Sequence, residues 1–209
     1  MLHPAGPAAQ NIADLWWMLF AGAVAIFVIV TALLAAAVIR RGTSAVNETS
    51  VDNPLSSRIW FWGFGLAFPL VTLSALTVYG LVLGQRLLPR TTPDVVTVQA
   101  EARQWAWTFG YPDAQGRVTD GVLHIPAGRP VDVEITSRDV IHSFWVPQLA
   151  GKLDAIPGHI NVLRLEATVP GFYAGQSAEF SGLGYREHVF SVQAHDAVSW
   201  ATFLRDGSS

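Results

Sequence analysis

The stretch LWWMLFAGAVAIFVIVTALLAAAVI, Leu15 to Ile39, runs for 25 residues without a charge. A hydrocarbon core about 30 Å thick takes roughly 20 apolar residues as a helix, so this run is long enough to cross it. Ile59 to Gln85 forms a second charge-free run of 27 residues. Together they predict a transmembrane helical hairpin over residues 1–90, with spans at about 15–39 and 59–85. Buried core helices and a secretory signal are the alternatives. A signal is disfavoured because residues 1–14 hold no Lys or Arg and the first run exceeds the roughly 7 to 15 residues of a signal's apolar region.

Arg40, Arg41 and Arg58 flank the connection between the spans, which the positive-inside bias places in the cytoplasm. Both termini and everything after the second span then lie on the outer side, although Arg86 and Arg90 weaken the contrast. Trp16, Trp17, Trp60 and Trp62 stand where each span begins and suit the aromatic belt of a membrane interface. Pro69 inside the second span is tolerable in lipid and predicts a kink.

Composition agrees with an anchor carrying a head. The chain is 51% hydrophobic and only 14% charged, and its apolar residues concentrate before residue 90. It contains no cysteine, which excludes disulfides, thiolate ligands, cysteine nucleophiles and lipid attachment at cysteine. A net charge of -3 offers no basic face for nucleic acid.

Beyond Pro89 the pattern changes to short β-type runs: Val95 to Val98, Trp105 to Phe109, Val131 to Ile135, Val162 to Leu165 and Val189 to Val192. Turn signals such as Pro126-Ala127-Gly128, Pro157-Gly158 and Pro170-Gly171 separate them, which predicts an antiparallel sandwich or barrel over residues 91–209. That head holds 8 Lys and Arg against 13 Asp and Glu, a balance of -5.

Three segments carry a resemblance. They are Gln104-Trp105-Ala106-Trp107-Thr108-Phe109-Gly110-Tyr111-Pro112, Asp139-Val140-Ile141-His142-Ser143-Phe144-Trp145-Val146-Pro147 and Gly151-Lys152-Leu153-Asp154-Ala155-Ile156-Pro157-Gly158. In order and spacing they resemble cytochrome c oxidase subunit II, in the haem-copper terminal oxidase family. The resemblance implies a helical hairpin docked on the catalytic subunit I, with subunit III in the same complex and lipid around it. It implies an all-β, cupredoxin-like Greek-key barrel outside a bacterial inner membrane. Haems and oxygen chemistry belong to subunit I, so this chain is expected to be a non-catalytic subunit.

The same resemblance exposes a defect. The family's dinuclear copper centre uses two bridging cysteines, two histidines, a methionine and a backbone carbonyl. His142 occupies the first histidine position and Glu179 the carbonyl position, but Ser177 and Ser181 replace the cysteines, Tyr185 the second histidine and His188 the methionine. A protonated, hard hydroxyl cannot replace a bridging thiolate. No copper is therefore expected in this chain, as in the quinol oxidase branch, where a quinol on subunit I is the donor. The alternatives are a cytochrome c oxidase with an unusual electron route, which the acidic head would suit, and an assembly or copper-handling protein.

The remaining residues have bland readings beside sharper ones. His142 reads as a hydrogen-bonded histidine beneath the loop, against a mononuclear N and O site of His142, His188 and Glu179. Glu179 is set by the resemblance near a Mg²⁺ shared with subunit I, against a plain salt bridge. Trp105 matches the tryptophan where electrons arrive in copper-bearing members, and without copper it reads as a barrel aromatic. Lys152 and Asp154 are expected at the subunit I interface. His124, His159 and His195 show no ligand spacing.

Overall fold

The structure is a computed structural model and describes residues 3–43, 58–87, 94–114 and 116–205. The connection between the two spans, 44–57, and the junction at 88–93 lie outside the described residues. Two compact units result, one of residues 15–86 and one combining residues 1–14 with 87–209.

Both apolar runs are helical. Helix α1 spans Pro7–Thr43. The second run opens as a π-helical segment, Ile59–Ala67, and continues as α2, Phe68–Leu87. The wide register ends where Phe68 donates its N–H to Gly63 O, immediately before Pro69, which has no N–H to give. A nine-residue π-helical segment thus precedes the α-helix that contains Pro69. The most apolar 18-residue windows within Pro7–Arg40 and Ile59–Gln85 have mean hydropathies of 2.8 and 2.0 and bury nothing inside the molecule. A surface of exposed Phe, Leu, Val and Ile all round a helix requires an apolar solvent.

Among the described residues the head has ten strands: β1 Val96–Arg103, β2 Ala106–Tyr111, β3 Arg117–Asp120, β4 Val122–Pro126, β5 Val131–Ser137, β6 His142–Trp145, β7 Leu153–Ala155, β8 Asn161–Leu165, β9 Gly171–Ser177 and β10 Val189–His195. A short helix, α3, Ala197–Arg205, closes the described chain. One sheet has the order β3-β2-β1-β5-β8 and the other β4-β10-β9-β6-β7. The five sequence runs coincide with parts of β1, β2, β5, β8 and β10, the first two beginning one residue early, at Val95 and Trp105. The sheets are not purely antiparallel as expected: β1 pairs with β5, and β10 with β4, in parallel.

Alternation decides what lies between the sheets. β1 alternates buried and less buried side chains along its length, and β5 does the same. Val98, Ala100, Val133 and Ile135 from one sheet meet Leu123, Phe144, Phe190 and Val192 from the other in one apolar core. Aromatic rings fill its centre. Trp107 meets Phe144 edge to face at 5.4 Å, and Phe144 stacks on Phe190 at 4.7 Å.

The head also takes in the chain's first residues. Ala5 N–H donates to Gln148 O (2.8 Å), Thr168 N–H donates to Ala5 O (2.8 Å) and Ala9 N–H donates to Leu149 O (3.2 Å). Gly6 makes this possible, because a Cβ there would collide with the backbone oxygen of Glu166. Pro7 then begins α1 at a position where its missing N–H costs nothing.

Candidate functional site

The site lies where β6 meets the loop from β9 to β10. Ser177 N–H donates to His188 O (2.9 Å), which closes the loop at its base, and Ala178 N–H donates to Ser143 O (3.0 Å). Ser143 N–H reaches Ser177 Oγ at 3.3 Å. A single 3-10 turn, Tyr185–Glu187, then returns the chain to β10 with His188 directed inward.

A second anchor comes from the β1–β2 turn. Gln104 Nε2 donates to Ser181 O (2.6 Å). Trp105 lies under the loop so closely that a Cβ on Gly182 or Gly184 would overlap its indole, at 2.8 and 2.7 Å. Both glycines are therefore required by this tryptophan, which keeps 42% of its surface exposed.

His142 and His188 are each fully buried, with ring centroids 4.9 Å apart and planes at 79°. Trp107 stacks on His188 at 5.4 Å. His142 Nε2 lies 2.8 Å from Asp139 Oδ1. Asp139 also accepts from the N–H of Gln104 (2.7 Å) and of Val140 (2.6 Å). Burial alone would raise its pKa, but these donors outweigh that and hold the carboxyl at about 2. His188 is pushed below the ordinary imidazole value by burial, with His142 adding to the effect and the Ala106 backbone and Asp139 opposing it.

The residues singled out from sequence do not all converge. Ser177 and Ser181 are buried, Ser177 being tied by its backbone N–H to His188 O, and Tyr185 stays half-buried against Phe180, ring to ring at 5.3 Å. Glu179 lies on the outside, where Oε1 accepts the Phe180 N–H and Oε2 sits 3.6 Å from Lys152 Nζ. It therefore does not join His142 and His188, because its carboxylate is drawn toward solvent and a cation. Lys152 also faces Asp154 at 3.8 Å, and these three side chains form an exposed charged group. Among the described residues no cluster of three His, Cys, Asp or Glu side chains forms.

Sequence reasoning missed Asp139 as a site residue, although it opens one of the three family segments. Its spacing of three from His142 was the signal. A second histidine pair was missed altogether: His124 Nδ1 lies 2.8 Å from His195 Nε2, beneath α3. Parallel pairing of β4 with β10 brings these two together.

The donor set does not fit a dinuclear, thiolate-bridged copper centre. Such a centre needs soft sulfur shared by two ions, and the positions available offer hydroxyls and imidazoles.

Residues 115–194 match the family described as cytochrome C oxidase subunit II, periplasmic domain. The chain is 30% identical over 215 residues to quinol oxidase subunit 2 of Bacillus cereus, covering 99% of this chain and 72% of that relative. It is 48% identical over 112 residues to cytochrome c oxidase subunit 2 of Thermostichus vulcanus, covering 52% of this chain and 33% of that longer protein. The solved periplasmic domain of subunit II of cytochrome oxidase (CoxB) of Bradyrhizobium japonicum superposes with a TM-score of 0.52 at 25% identity, covering 55% of this chain and 94% of that one. The head has the cupredoxin-like fold expected from the sequence.

Proposed function

The chain belongs to the cytochrome c oxidase subunit II family of haem-copper terminal oxidases, and from that premise we propose that it serves a quinol-oxidising, proton-pumping member without a dinuclear copper centre. One observation carries the reading: the positions of the family's bridging cysteines hold Ser177 and Ser181, both buried and neither able to offer a thiolate. Electrons have no copper relay here, so the donor delivers them to subunit I directly.

In this reading the subunit is non-catalytic. The hairpin anchors in lipid beside subunit I, and the head caps the outer, periplasmic face of the inner membrane. Lys152, Asp154 and Glu179 form the exposed polar group offered to subunit I. Glu179 fits a Mg²⁺ shared across that interface, since a hard cation takes carboxylate oxygen and this carboxylate is 43% exposed. Lys152 at 3.6 Å competes for it until the interface forms.

A cytochrome c oxidase with another electron route is the second reading. The 48% identity to the cytochrome c oxidase subunit 2 of Thermostichus vulcanus favours it, as does the acidic head. Oxygen uptake by the purified complex separates the two. Quinol should drive turnover and reduced cytochrome c should not; rapid uptake with cytochrome c rejects the quinol reading.

A further inference from the structure

Six buried side-chain nitrogen and oxygen atoms have no full hydrogen bond among the described residues: Trp107 Nε1, His142 Nδ1, Ser143 Oγ, Ser181 Oγ and both ring nitrogens of His188. Five of them belong to β6 and the β9–β10 loop, and the sixth is on Trp107 of β2, which stacks on His188. Native interiors leave few such atoms unpaired, because each forfeits its solvation without return. These atoms keep unused capacity to bind a ligand.

A comparison inside the same head narrows the choice. His124 and His195 satisfy one another, nitrogen to nitrogen at 2.8 Å. His142 and His188 are more deeply buried and do not. Instead, Asp139 takes the Nε2 side of His142, which leaves the Nδ1 lone pair unused. A carboxylate on one imidazole nitrogen, orienting the other, is the arrangement that supports a metal-ligating histidine. Two imidazoles on one tetrahedral ion, with bonds of about 2.0 Å, have centroids about 5 Å apart. The observed separation is 4.9 Å.

We propose that His142 and His188 bind a single divalent cation of borderline softness, Zn²⁺ or Cu²⁺, with oxygen from Ser143, Ser181 or water completing its coordination. Imidazole suits both ions. The nearby Asp139 carboxylate balances part of the charge. The ion fastens β6 to the start of β10, so its role is structural, closing the loop over Trp105. The proposal rests on the preceding reading only in excluding two bridged coppers.

The test uses the full chain in detergent micelles, stripped with a chelator and titrated with Zn²⁺ alone and, separately, Cu²⁺ alone. One equivalent of either is expected to bind, with the Cu²⁺ form giving a mononuclear spectrum. His142→Ala and His188→Ala should each weaken binding at least tenfold. Asp139→Asn should weaken it about 10- to 100-fold by freeing the His142 ring. Because His188 is buried and its variant is at risk of misfolding, Asp139→Asn at a partly exposed residue supplies an independent measurement. His159→Ala, on an exposed turn, should change nothing. Absence of binding, or one ion held equally well by the Asp139 and His142 variants, overturns the proposal. Two copper equivalents with a delocalised mixed-valence signal overturn both this site and the proposed loss of the dinuclear centre, which separates the two failures.

Discussion

His124 Nδ1 and His195 Nε2 lie 2.8 Å apart on neighbouring parallel strands, roofed by α3. Only one proton fits between them. His124 stacks on Phe203 at 4.4 Å, and Arg117 covers the same ring at 4.0 Å while donating to Phe203 O. Burial, then His195, then Arg117 hold His124 down to about 4. Burial chiefly lowers His195 as well, with Arg117 adding to the effect and Asp196 opposing it.

The pH dependence follows from these directions. In the unfolded chain both imidazoles protonate near the ordinary value of about 6.5, whereas the folded pair stays neutral to lower pH. The unfolded state therefore binds more protons below about 6.5, and stability falls with pH from there toward about 4. Thermal unfolding of the full chain in micelles should show its midpoint descending over that window. His124→Phe should flatten the descent, and an unchanged slope in that variant contradicts the assignment.

The tryptophans should separate sharply. Trp107 is 1% exposed and meets Phe144, Phe190 and His188, so Trp107→Ala should cost about 3–5 kcal/mol. Trp105 is 42% exposed, and Trp105→Ala should cost less than half as much in denaturant unfolding. Equal losses would mean that the indole beneath Gly182 and Gly184 is a core residue.

Gly6→Val should detach the leading segment without unfolding the sheets. Its side chain meets the Glu166 backbone, and the bonds of Ala5 to Gln148 and Thr168 must yield. Limited proteolysis should cut the variant near residues 3–6 faster than the natural chain, with far-ultraviolet dichroism unchanged. Equal cutting rates contradict this account of the segment.

Lys152→Ala removes two exposed ion pairs of 3.6 and 3.8 Å. Such pairs contribute about 0–1 kcal/mol, so the chain's own unfolding should barely move. Recovery of the assembled complex by affinity purification should fall instead. Normal recovery places the interface elsewhere.

The membrane runs were legible because length and absence of charge are one-dimensional properties. Five strands were legible from β-branched runs, but β6 and β7 were not, since His142–Trp145 and Leu153–Ala155 are too short to show a period. The parallel partners of β1 and β10 are fixed by contacts between segments far apart in the chain. The loss of bridging sulfur could be read directly from Ser177 and Ser181. What sequence could not supply was direction: Glu179 faces Lys152 rather than the histidines, and His124 meets His195 across paired strands although the two are 71 positions apart in the chain.

Electron paramagnetic resonance of the full chain, supplied with excess copper and purified in micelles, bears most directly on the missing dinuclear centre. The account predicts no delocalised mixed-valence copper signal, with at most one mononuclear Cu²⁺ per chain. A mixed-valence signal from two coppers per chain would contradict it.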